Sequence, residues 1–313
     1  MGGERLVAHS GTEPALTARD FRGYGGHFPD PEWPGAARVA VSFVVNVEEG
    51  AELSISAGDD RNESVYEVAD EVVGVPDACM ETHFEYGTRA GYWRIMDVLE
   101  RFGVAATLSA CGRALEVSPW LAADAVRRGH EIAAHGYRWE RHANMTEGEE
   151  RAVIARTVKA ITAAAGTRPL GWHTRSTPSP RTRALLVEDG FLYDSDAYSD
   201  DLPFFVDVDG RRHLVVPYSF DTNDMHFHQG RQRFVTARDF SEYVSDAFDT
   251  LWREGQSSPK MLSIGLHLRM IGRPGRIAGL ERVLEHMRDR GAVWFARRDA
   301  IARHWIAHFG ERA

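Results

Sequence analysis

ARVAVSFVV (37–45) is an apolar, β-branched run that breaks directly into Asn46-Val47-Glu48-Glu49-Gly50. Such a run, closed by a polar turn, reads as a buried strand. Working outward, the same character returns in VAATLSA (104–110), EIAAH (131–135), residues 170–173, 191–194 and 213–218, KMLSIGLH (260–267) and VWFA (293–296). Between these runs the apolar period is helical, over 89–102, 119–129, 147–165, 180–189, 236–254, 276–290 and 298–309. The ends carry matching signals. Ser118-Pro119 is an N-cap with a first-turn proline, Thr146-Glu147-Gly148-Glu149 is a capping box, and Gly103 and Gly166 stand where helices stop. Residues 51–84 read as an irregular acidic loop with one helix near 64–73.

Strands alternating with amphipathic helices predict a parallel α/β arrangement. No GxGxxG follows the first strand and GxxxxGK(S/T) is absent, which removes the usual phosphate cradles. About seven βα units fit a distorted (β/α) barrel better than a flavodoxin-like sheet. Residues 1–35, rich in Gly, Pro and polar groups, read as an N-terminal arm. No Pro/Gly/Ser linker divides the rest, so 36–313 is expected to be one catalytic domain.

Composition narrows the function. The 313 residues are 43% hydrophobic and 27% charged, with 46 Asp+Glu against 37 Lys+Arg and a net charge of −9. That balance argues against a nucleic-acid or anionic-membrane surface. No apolar run approaches the ~18 residues of a membrane span. MGGERLVAHSGTEP (1–14) has no apolar signal core, and Leu6 stands where a myristoylation signal needs Ser or Thr. Cys79 and Cys111 are too few for a disulfide framework. A soluble, cytoplasmic globular protein is expected.

In a βα barrel the site lies at the C-terminal ends of the strands. Those ends carry Asn46, Glu48 and Glu49; His135; His173 and Arg175; Asp194 and Asp196; Asn223 and Asp224; and His267. Each has an ordinary reading. Adjacent glutamates after a strand are commonly a solvated turn, and His135 before Gly136 suits a core histidine. Asp194 and Asp196 can close a turn, His226 and His228 alternate as a strand face would, and Arg269, Arg273 and Arg276 suit a surface, though one could pair with a carboxylate. Cys111 without a positioned base reads as packing. Their convergence on one end of the barrel is what argues for chemistry. Carboxylates with two histidines, and no serine elbow or Cys–His pair, suit water activation in amide, imide or ester hydrolysis.

The order of these motifs resembles the polysaccharide-deacetylase (NodB-like) superfamily. VNVEEG (45–50) stands at its paired-aspartate motif, HGYRW (135–139) at its two-histidine motif and LSIGLH (262–267) at its catalytic-histidine strand. The similarity is greatest to the metal-independent, allantoinase-like branch, through RGYG (22–25), WPGAARVAVSFVVNVEEGAE (33–52), EYGTRAGYWR (85–94), FLYDSDAYSDDLP (191–203), DTNDM (221–225), KMLSIGLHLRMIGRP (260–274) and VWFARRDAIARHW (293–305). Metal-dependent members use one aspartate and two histidines spaced i, i+4. Here Trp139 occupies the fourth position after His135 and glutamates replace both aspartates, so no metal cofactor is expected. Zinc held through a substitute such as His142 is the lesser alternative. GWHTRSTPSPRTR (171–183) and ERHANMTEGEE (140–150) depart from the allantoinase pattern, which opens the identity of the ring.

The resemblance implies a hydrolase of non-peptide carbon–nitrogen bonds that opens a small cyclic amide or ureide. Glu48 or Glu49 would be the base, His267 the acid and His135 an orienting group. Asn46, Trp139, His173, Arg175, Asn223 and Asp224 would bind substrate. It also implies a homo-oligomer, with a tetramer the leading form. The alternatives are a metal-dependent N-deacetylase of an amino-sugar polymer and a catalytically inactive binding homologue.

Overall fold

The computed structural model describes residues 19–64, 70–175, 177–228 and 234–310. The strands are β1 (Val39–Val47), β2 (Thr107–Ala110), β3 (Glu131–Ala134), β4 (Gly171–Trp172), β5 (Tyr193–Asp194), β6 (Phe204–Val208), β7 (Arg211–Val215), β8 (Lys260–His267) and β9 (Val293–Phe295). They form one sheet in the order β6-β7-β5-β4-β3-β2-β1-β8, with β9 beside the first half of β1. All pairs are parallel except β6 with β7. Past β7 the chain swings back to β8 through a parallel bridge, Asn223 to Gly265. The sheet is thereby curled into the expected distorted barrel.

Every residue of β1 is buried, as a central parallel strand covered on both faces requires. The helices among the described residues are α1 (Ala78–Tyr86), α2 (Tyr92–Phe102), α3 (Gly112–Val117), α4 (Pro119–Arg127), α5 (Glu147–Ala165), α6 (Thr182–Glu188), α7 (Ala237–Glu254), α8 (Pro274–Arg290) and α9 (Arg298–Phe309). Tyr92, Met96 and Leu99 of α2 are buried, and Gly103 ends that helix in the left-handed conformation. The Thr146–Glu149 capping box opens α5 as its sequence predicts. No helix among the described residues is long and apolar enough to cross a membrane.

Three local readings change. Residues 51–84 include most of α1, and the helix expected near 64–73 falls partly on 65–69, outside the described residues; 70–76 are not helical. β6 and β7 form a hairpin around Asp209-Gly210, both with positive φ, the signature of a two-residue hairpin turn. The HFH segment is not a strand: residues Asp224–Phe227 form a 3₁₀ turn, because Asn223 caps Met225 N–H instead of continuing a ladder.

Candidate active site

Strand alternation puts Asn46 and Glu48 on the same side of β1, facing the open end of the barrel. Both line a cleft of about 160 Å³. His135, His173 and Arg175 reach it from the ends of β3 and β4, and His267 from the end of β8. Trp139 and Asn223 complete the expected residues that line it. Arg269, Tyr218, Phe220 and His228 line it too, though the sequence did not single them out for this role.

Glu48 is the hub. Its Oε2 accepts from Arg269 Nη1 at 3.0 Å, and its Oε1 lies 3.4 Å from Arg175 Nε and 3.5 Å from His135 Nε2. Burial opposes its charge. The His135 contact and the cations Arg175, His267 and Arg269 outweigh burial and hold the carboxyl well below its usual range. Arg269 is therefore no surface group: only 3% of it is exposed, because Glu48 compensates its charge. Arg175 also lies over the Trp139 ring, 3.2 Å from its centroid.

Glu49 points elsewhere. It lies outside the residues that line the cleft, its Oε2 accepts the Glu48 N–H at 3.1 Å, and its Oε1 lies so near Gly87 that a β-carbon there would sit 2.3 Å away. Gly87 begins the π turn Gly87–Gly91 between α1 and α2, so the missing side chain makes room for the carboxyl. Burial pushes Glu49 up to about 7 against the pull of Arg269, and the neighbouring Glu48 charge adds to the rise.

His267 has a fixed proton. Its Nδ1 donates to Asp224 Oδ1 at 2.6 Å, and Asp224 Oδ2 accepts the backbone N–H groups of His267 and Ile271 at 2.8 and 3.0 Å. Burial disfavours the imidazolium, but the Asp224 charge and hydrogen bond, joined by Glu48, raise its affinity for the proton. Asp224, expected from the sequence to bind substrate, does not line the cleft; it touches His267, which does. His135 Nδ1 donates to the His173 carbonyl at 2.7 Å, which leaves Nε2 toward Glu48. The His173 ring stacks between His135 and Tyr218, and burial lowers its proton affinity well below the ordinary value.

The remaining titratable candidates serve the scaffold. Asp194 is gripped by Arg183 and His213, and Asp196 accepts from the Thr174 backbone and hydroxyl. Cys111 is buried, which pushes its thiol well up, and its Sγ donates to the His135 carbonyl. His142 Nδ1 sits 3.1 Å from Glu150 with its ring on Trp172, and it does not line the cleft. Among the described residues no three His, Cys, Asp or Glu side chains are grouped to hold a metal ion. Trp139 has no lone pair to replace a second histidine, and Glu48 already faces two guanidinium groups. This donor set does not fit a zinc centre of one carboxylate and two histidines.

The polysaccharide deacetylase family model matches residues 73–185. A putative polysaccharide deacetylase of Schizosaccharomyces pombe is 36% identical over 92% of this chain and 97% of its own length. Among solved structures, a probable polysaccharide deacetylase of Pseudomonas aeruginosa PAO1 is 45% identical with a TM-score of 0.88, over 92% of this chain and 98% of that one. PuuE allantoinase is 46% identical with a TM-score of 0.88, over 92% of this chain and 97% of that one. Members of this group hydrolyse carbon–nitrogen bonds other than peptide bonds, and the chain belongs to the polysaccharide deacetylase family.

Proposed function

We propose that this hydrolase opens a small cyclic amide or ureide without a bound metal, in the manner of an allantoinase. The observation that carries the reading is the setting of Glu48: one cleft-facing carboxylate held by Arg175, Arg269 and His135. The two fixed guanidinium groups supply positive charge at the reacting centre, the role a Lewis acid plays elsewhere. The likeness to PuuE allantoinase supports the same reading. A cleft of about 160 Å³ suits a ring better than a run of sugars.

In this mechanism water attacks the amide carbon while Glu48 accepts a water proton. The acidity of that water rises as the carbon–oxygen bond forms, so a weakly basic carboxylate suffices at the transition state. Arg175 holds the carbonyl oxygen as it gains charge, and His135 orients the substrate beside it. The carbon–nitrogen bond then breaks as His267, protonated and fixed by Asp224, gives its proton to the leaving nitrogen. The products are a carboxylic acid, which ionises, and a free amine or ureido group.

The test is turnover of allantoin, hydantoin and dihydrouracil by wild-type protein and by Glu48→Gln. Ring opening that the variant loses supports the reading. A second reading, N-deacetylation of an amino sugar, draws on the names of the yeast and Pseudomonas relatives. It predicts acetate release that requires added zinc or cobalt.

A further inference from the structure

Tyr218 stands between two asparagines. Asn46 Nδ2 donates to its hydroxyl at 3.1 Å and Asn223 Nδ2 at 3.0 Å. Neither amide can be turned round: Asn46 Nδ2 also donates to the Leu266 carbonyl at 3.1 Å, and Asn223 Oδ1 accepts the Met225 N–H at 2.9 Å. The phenol oxygen accepts twice, so what it has left to offer is its own proton. That proton has no acceptor among the described residues. Asn46 shows the converse. The side chain is 2% exposed, yet its Oδ1 receives no hydrogen bond among the described residues. A buried acceptor without a donor is destabilising and marks a place prepared for one.

Both side chains line the cleft that holds Glu48 and His267. His267 is the register partner of Asn46 across β1 and β8, and Glu48 lies two residues further on, just past the end of β1. Tyr218, with an O–H to donate, and Asn46, with a carbonyl to accept, are thus neighbours joined through Asn46 Nδ2 at the reacting end of the cleft. In an amide closed into a ring, the C=O and the N–H of one bond lie on the same side. One edge can then accept from Tyr218 and donate to Asn46 together. In an open-chain N-acetyl amide the bond is trans, the two groups point apart, and only one can be engaged.

We infer that Tyr218 and Asn46 form a paired recognition element for the cis O=C–N–H edge of a ring amide. Tyr218 binds the carbonyl oxygen and Asn46 Oδ1 binds the adjacent N–H. The inference rests on the cyclic-amide reading and adds a selection rule to it: the ring must carry an unsubstituted nitrogen.

Calorimetric titration of the full chain with hydantoin, 1,3-dimethylhydantoin and N-acetylglucosamine tests this. The wild type should bind hydantoin about tenfold or more tightly than either other probe, the scale of one lost buried hydrogen bond. Tyr218→Phe, checked for folding by its thermal transition, should lose that preference. Equal binding of hydantoin and its dimethyl form by the wild type, or no binding of either, overturns the inference without any variant. Turnover of both rings at equal efficiency overturns it while leaving the hydrolase reading in place. Preference for hydantoin without turnover supports the pair and removes the ring-opening reading.

Discussion

Asp224 holds His267 at three points, accepting its Nδ1 proton at 2.6 Å, its backbone N–H at 2.8 Å and the Ile271 N–H at 3.0 Å. The carboxylate fixes both the tautomer and the position of the imidazole, leaving Nε2 to serve the substrate nitrogen in the proposed mechanism. Asp224→Asn keeps the shape but removes the charge that raises His267. Turnover should fall on the order of 10–100-fold. The alkaline limb of the pH–rate profile should move to lower pH, because the imidazole then loses its proton earlier. An unchanged limb would show that His267 is not the acid.

The two glutamates should separate cleanly. Glu48→Gln removes the cleft carboxylate and should lower kcat by roughly 10²–10⁴-fold. Glu49→Gln, turned toward Gly87, should keep most of the activity. Comparable losses in both would count against Glu48 as the sole base.

Glu49 should also show in stability. Its folded-state pKa is raised from 4.5 to about 7, so the folded protein holds that proton more tightly than the unfolded chain. The stability tied to the proton is present in full below about pH 4.5 and is lost as pH rises through about 7. Glu49→Gln should flatten this part of the curve of unfolding free energy against pH between those limits. Denaturant titrations at pH 5 and pH 8 measure it.

Arg269 is buried against Glu48, and removing one member of such a pair leaves an uncompensated charge. Arg269→Met should destabilise the protein by about 3–5 kcal/mol. The loss should shrink in the double variant Arg269→Met/Glu48→Gln, a coupling that a thermodynamic cycle reads directly.

Gly265 of β8 has the tightest packing around the proposed recognition pair. A β-carbon there would lie 2.3 Å from both the Tyr218 hydroxyl and Asn223 Nδ2. Gly265→Ala should cost about 1–3 kcal/mol through overpacking and reduce turnover by displacing Tyr218. Thermal unfolding and kcat/KM on the same sample check both parts.

Most of this architecture was legible because apolar runs and polar strand ends are local signals. The eight parallel strands and the grouping of Asn46, Glu48, His135 and His267 followed from them. The β6–β7 hairpin went unread although Asp209-Gly210 announces it, since its strands are only half-buried and lack a strong apolar run. The parting of Glu48 from Glu49 was also within reach: residues 46 and 48 share a face of a strand, and residue 49 does not. Arg269 and Tyr218 were harder. Arg269 enters the cleft from the turn after β8 and Tyr218 from the irregular stretch after β7, and nothing in residue type alone says that an arginine will be buried on a particular carboxylate.

The central claim is ring opening by Glu48 without a bound metal. The most direct measurement is turnover of allantoin, hydantoin and dihydrouracil by chelator-dialysed protein, with and without added zinc, beside Glu48→Gln. The account predicts that at least one ring is opened at a rate dialysis and zinc leave unchanged, and that the variant loses it. Silence on every ring, with zinc-restored release of acetate from an N-acetylated sugar, would contradict it.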